Sequence, residues 1–197
     1  MNRHLAAAST LALLISAVPP PAPAGDFVES PIYKSWSKSK VGTSVTVSSV
    51  TVMKGQTIES TLRYTLIDLN PEKAVVEMVV TPKGGTAGYP QRTEHRRDFP
   101  LLPGVKKEDI GKPPAEAIEK GREPIMVAGK EYDAQWYVLK ARVEAGEAIT
   151  RTWTTPDVPG MMLKSVLKVP AADKVTTLEL VAIAEPVEGT PLKPSGR

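Results

Sequence analysis

From Val41 onward, apolar side chains recur at every second position in runs separated by turns rich in Gly, Pro and Asn. A period of two belongs to a strand with one buried face, because successive side chains on a strand point to opposite sides. Met161 to Val169 shows it most cleanly: Met161, Leu163, Leu167 and Val169 share one side, and Lys164 and Lys168 take the other. No stretch sustains the 3.6-residue period of a long helix. The chain is therefore expected to be mainly β. The expected form is a single curved antiparallel sheet, a half-barrel or barrel of about eight or nine strands with one short helix. A two-sheet sandwich is the rival.

The runs can be placed along the chain. Residues 25–39 form a lead-in segment, with Trp36 as an anchor onto the core. Val41–Met53, Thr57–Leu69 and Lys73–Thr81 read as a three-stranded meander broken at Lys54-Gly55 and Asn70-Pro71. In the first run the apolar positions shift parity after Ser48-Ser49, which predicts a bulge or bend there. A glycine-containing loop, Pro82–Pro90, leads to a charged strand, Gln91–Leu102. Pro113–Lys120 carries the one helix signal, with Pro114 near its start and Gly121 as its stop. Pro124–Ala128 and Glu131–Val143 follow as a hairpin turning at Gly129-Lys130, in type II′ fashion. Glu131–Val143 is apolar on both parities and is expected to curve and bury different faces along its length. Ala148–Thr155, Met161–Val169 and Val175–Ala184 complete the sheet.

The first residues read differently. Arg3 precedes an uncharged, mostly apolar stretch, Leu5–Val18, and Ala22-Pro23-Ala24 has the A-x-A form of a cleavage site. That is the layout of a secretory signal peptide, and the stretch is shorter than the about 20 apolar residues a membrane span needs. The expected organisation is a signal peptide over 1–24, a β-rich domain over 25–185 and a disordered tail over 186–197. The protein is expected to be exported, to the periplasm or beyond the cell, with no transmembrane segment in the mature chain. A domain of this size should bury roughly 70% of its unfolded surface, so it can fold without staples. It has no cysteine, which excludes thiol nucleophiles, thiolate zinc sites and iron–sulfur clusters. Lys and Arg number 25 against 22 Asp and Glu. These charges are interspersed, and no concentrated basic stripe suggests nucleic acid.

No catalytic or metal-binding residue set stands out, and no cofactor is expected. His95, in Thr93-Glu94-His95-Arg96-Arg97-Asp98, is the one histidine beyond the leader. Its neighbours on a strand point to opposite faces, and Arg96 and Arg97 would repel a cation, so a solvated strand face is the expected reading. Arg92, Lys106, Lys107 and Lys112 extend this basic region, but Glu94, Asp98, Glu108 and Asp109 interrupt it. Gly84-Gly85-Thr86-Ala87-Gly88 lacks the lysine and the helix of a phosphate loop. Carboxylate-only hydrolysis would draw on Asp133, Glu179 and Glu77, which nothing in the sequence brings together. If an apolar ligand binds, Trp136, Trp153, Met161 and Leu163 are expected to line its site, by aromatic area and methionine adaptability.

Val127-Ala128-Gly129-Lys130-Glu131-Tyr132, followed by Thr152-Trp153-Thr154-Thr155-Pro156-Asp157-Val158-Pro159-Gly160-Met161-Met162-Leu163-Lys164, resembles a pattern in uncharacterised secreted bacterial β-rich proteins. The order of hairpin, tryptophan strand, V-P-G turn and strand is also similar to the periplasmic lipoprotein-carrier superfamily. That resemblance implies a curved half-barrel sheet cradling acyl chains under helices, although this chain has almost no helix to act as a lid. The expected function is an exported, non-enzymatic binding or interaction module that holds an apolar or lipid-like ligand or an envelope protein. A structural component of an envelope assembly and a carboxylate-based hydrolase are the alternatives.

Overall fold

The structure, a computed structural model, describes residues 26–101 and 103–186. The expected signal peptide, 1–24, and all but the first residue of the expected tail, 186–197, lie outside the described residues. In chain order the elements are β1 (Phe27–Glu29), α1 (Pro31–Trp36), β2 (Ser44–Met53), β3 (Gln56–Leu69), β4 (Lys73–Pro82), β5 (Gln91–Arg96), β6 (Asp98–Pro100), β7 (Glu119–Val127), β8 (Lys130–Val143), β9 (Gly146–Thr154), β10 (Met162–Val169) and β11 (Lys174–Ala184).

Nine of the strands make one antiparallel sheet in the order β5-β4-β3-β2-β11-β10-β9-β8-β7. Only the step from β2 to β11 is non-local. It joins the meander β2–β5 to the meander β7–β11, so two hairpin series built from short turns become one sheet. The sheet is open, with β5 and β7 at its two edges. It is also strongly curved: Cα atoms of β11 and β7 come within 8 Å of each other across the intervening β10, β9 and β8. Register shifts at Leu66/Asp68, Leu180/Ala182 and Met162/Lys164 supply bends of the kind that bulges impose. Half-barrel is thus the form adopted, rather than closed barrel or sandwich.

Several local expectations need correction. Pro113–Lys120 is not helical. Two adjacent prolines open it, Ala117 N–H closes a single turn on Pro114 O, and Ile118 N–H already donates to Val138 O, which pulls the segment into β7. Among the described residues the α-helix is instead α1, in the lead-in segment. Ser30 caps it by accepting from Tyr33 N–H at 3.3 Å, and Pro31 occupies its first turn, where a missing N–H costs nothing. The charged strand Gln91–Leu102 divides after Arg96, and its second part, β6, pairs with β1 as a separate two-stranded ribbon.

Strand β2 has no bulge at Ser48-Ser49; it pairs with β3 in unbroken register from Ser44 to Met53. The parity shift arises because Val45 and Val47 are buried on one face while Val50 and Val52 lie on the other, the latter exposed. The hairpin turn after β7 is Ala128-Gly129, not Gly129-Lys130. Both residues have positive φ (52° and 72°), the type I′ geometry that matches strand twist. Along β8, burial stays on the Tyr132–Ala134–Val138 parity, and the end from Lys140 to Val143 is exposed rather than buried on the other face.

Leu66, Leu163 and Leu180 are fully buried, with Val47 and Val158, and form one core with Trp36 and Tyr33 of α1. Trp36, at 2% exposure, is the anchor that the sequence suggests.

Candidate functional site

Helix α1 has two turns at most, far too short to be stable alone. Its position is fixed by tertiary bonds. The Tyr33 hydroxyl donates to Asn70 O at 3.0 Å, and Ser35 Oγ donates to Ile32 O at 2.8 Å while accepting from Gly160 N–H at 3.0 Å. Lys38 Nζ reaches Pro156 O at 3.0 Å. These bonds tie α1 to the β3–β4 turn on one side and to the segment between β9 and β10 on the other. In that segment Val158 is fully buried and Gly160 adopts a φ of 77°. A β-carbon at Gly160 would stand 3.6 Å from the Trp36 indole nitrogen, so the V-P-G turn lies against this ring.

Between α1 and the sheet is a cavity of about 240 Å³. Alternate positions of four adjacent strands face it: Val45 and Val47 of β2, Tyr64 of β3, Val76 of β4 and His95 of β5. Register accounts for their meeting, since Val45 is opposite Tyr64, Leu66 opposite Val76 and Ala74 opposite His95. Ile32 and Trp36 of α1 lie above, and Pro159, Gly160 and Met162 complete the lining. None of these ten residues carries a carboxylate, ammonium or guanidinium group. Burial lowers the pKa of His95 below the usual histidine range and raises that of Tyr64, so both are held in their neutral forms at pH 7.

The four residues expected to line a ligand site fall in three places. Trp136 and Trp153 stand directly opposite one another on β8 and β9. The Arg151 guanidinium lies over both rings, 4.1 Å from the Trp136 centroid and 4.6 Å from that of Trp153. Glu123 of β7 accepts from the Trp153 indole N–H at 2.6 Å and from Arg151 at 3.1 Å. The two tryptophans thus belong to a cluster in which Glu123 binds both the Trp153 indole and the Arg151 guanidinium, while Arg151 Nε is buried without a partner. Leu163 is fully buried in the core. Met161, with a φ of 67°, borders a separate depression of about 570 Å³ on the outer side of α1, beside Lys34, Lys38 and Lys107. Its neighbour Met162 is the methionine that lines the apolar cavity.

The three candidate carboxylates are dispersed. Asp133 pairs with Arg122 at 2.8 Å, Glu179 with Lys164, and Glu77 with Arg92 at 3.1 Å. Part of the basic region is paired in the same way: Arg97 lies by Asp98, Lys107 by Asp26 and Lys112 by Asp109, while Lys73 binds Glu94. Among the described residues no group of three or more His, Asp or Glu could hold a metal ion. No described helix is long and apolar enough to cross a membrane. A further depression of about 590 Å³ on the β2–β4 strands is lined largely by polar and charged residues, including Glu59, Arg63 and Lys83.

No family model and no curated protein matches the sequence. Solved structures do match. A Bacteroides fragilis protein described as exported, with a YmcC-like fold, aligns at 9% identity over 75% of this chain and 97% of its own, with a TM-score of 0.51. The shared property is the fold. A protein of Parabacteroides distasonis described as a lipoprotein aligns at 12% identity over 74% of this chain and 96% of its own, with a TM-score of 0.48. The Mycobacterium tuberculosis lipoprotein LppX aligns at 15% identity over 80% of this chain and 94% of its own, with a TM-score of 0.39.

Proposed function

We propose that the protein is an exported, non-enzymatic binding module that holds a slender apolar group in the cavity beneath α1. One observation carries this reading: a half-open cavity of about 240 Å³ between α1 and the sheet is bounded mostly by apolar side chains and overhung by a pinned helix. A concave, solvent-reached surface lined mostly by apolar side chains gains free energy by taking up an apolar group, because that contact removes apolar area from water. The volume is below the roughly 300–1,000 Å³ that encloses drug-sized ligands. It suits a single hydrocarbon chain or one or two apolar side chains of a partner, not a multi-chain lipid.

Export is supported by the leader pattern at 1–24. A carboxylate-based hydrolase draws no support from Asp133, Glu179 and Glu77, each of which faces its own cation on a neighbouring strand.

The test is a titration of the purified protein with a medium-chain alcohol, followed by tryptophan fluorescence, to which Trp36 on the cavity wall contributes. Ile32 is 39% exposed and lines the cavity, so Ile32→Phe should narrow it without disturbing the buried floor. Saturable binding by the wild type and its loss in a normally folded Ile32→Phe protein are expected. No binding by the wild type would remove the proposal.

A further inference from the structure

The cavity is not purely hydrocarbon. Two of its lining groups, the Tyr64 hydroxyl and the His95 imidazole, can donate hydrogen bonds, and no hydrogen bond from another described residue engages either. Both residues are only half-buried, and neither polar end is among the buried atoms left without a partner, so water reaches them and a ligand's polar group would take that water's place. The register puts them on either side of Val76. Tyr64 lies opposite Met78 and His95 opposite Ala74, each two residues from Val76 along β4. Two strands thus offer a donor to the same space, at two stations flanking one valine.

The charge of the lining limits what those donors can meet. A buried ionised carboxylate or phosphate needs a cation or several strong donors to offset its lost hydration. The lining residues include no lysine or arginine. On β5, the neighbours Glu94 and Arg96 have the opposite parity to His95 and so point to the other face. Glu94 is bound there to Lys73 at 2.6 Å.

Resting on the apolar-cavity reading above, we infer that the natural occupant is an uncharged single-chain amphiphile. Its polar group is an ester, alcohol or amide, and Tyr64 and His95 bind that group by hydrogen bonds. Ionised fatty acids and phosphate-bearing lipids are discriminated against because the cavity supplies no countercharge.

The experiment compares four probes of one chain length at neutral pH: the alkane, the alcohol, the methyl ester and the ionised acid. The wild-type protein should bind the alcohol and ester at least about tenfold more tightly than the carboxylate. Tyr64→Phe and His95→Phe keep the apolar bulk. At least one of them should weaken alcohol and ester binding by roughly three- to tenfold, the range of a net hydrogen bond, and leave alkane binding unchanged. Carboxylate binding as tight as alcohol binding would overturn the inference, as would alcohol and ester affinities untouched in both variants, while leaving the apolar cavity in place. Failure of all four probes, the alkane included, would instead overturn the cavity reading itself.

Discussion

The ring of Trp136 on β8 covers Gly121 on β7, so closely that a β-carbon at 121 would stand 2.8 Å from the indole Cζ2. The two are cross-strand partners, and the missing side chain lets the ring lie flat across the edge strand. From there it contacts the Arg151 guanidinium, which also stacks on Trp153. Gly121→Ala should push the ring off this arrangement. Its effect should be an overpacking cost of about 1–3 kcal/mol in denaturant unfolding, with a shift in tryptophan emission. An unchanged midpoint would show that the ring moves freely.

Glu123 binds both Arg151 and the Trp153 indole. These groups are only partly buried, so the full value of a charged hydrogen bond does not apply. Glu123→Ala should cost about 1 kcal/mol and leave ligand titrations unaltered, because the cluster lies outside the apolar cavity. A loss of alcohol binding with normal stability would instead make the tryptophan cluster part of the binding site.

Leu163 and Met161 are two residues apart and should behave very differently. Leu163 is fully buried, and Leu163→Ala should cost about 2–5 kcal/mol by leaving a void. Met161 has a left-handed φ of 67° on a non-glycine residue. Met161→Gly should therefore relieve backbone strain of about 1–2 kcal/mol, offset in part by lost side-chain contacts. Denaturant midpoints of the two variants check both statements.

His95 gives a pH dependence with a definite sign. Burial lowers its folded pKa below the ordinary value of 6.5, so the unfolded chain binds a proton more readily than the native one. The neutral imidazole's contribution is fully present above about pH 6.5 and is lost as pH falls from there through the lowered folded value. The other titratable group on the cavity wall, Tyr64, stays neutral across this window, its pKa being raised. His95→Phe should flatten the stability profile between pH 7 and pH 5. A slope identical to that of the wild type would assign the effect to other groups.

Much of the fold was legible in the sequence because strands announce themselves locally. The alternation at Met161–Val169 and the Lys54-Gly55 turn required no knowledge of distant residues. Pro114, Glu116, Lys120 and Gly121 imitate helix start, pairing and stop signals, whereas backbone bonding to Val138 makes the segment lead into β7. Helix α1 shows no sustained period of its own, because its position is held by Asn70 and Gly160, far along the chain. For the site, residue type alone pointed to Trp136 and Trp153, but Arg151 and Glu123 occupy their surfaces. The cavity residues were visible only as members of four separate strand patterns. What brings Val45, Tyr64, Val76 and His95 together is the pairing register of β2 to β5, a long-range property that no single segment encodes.

The most direct measurement is native mass spectrometry of the protein purified gently from its own cell envelope, alongside the Ile32→Phe variant prepared in the same way. A discrete added mass on the wild-type chain, released on denaturation and missing from the variant, is the expected result, and that mass would identify the occupant. Bare chain mass for the wild type, or an equal added mass on both proteins, would contradict a ligand held beneath α1.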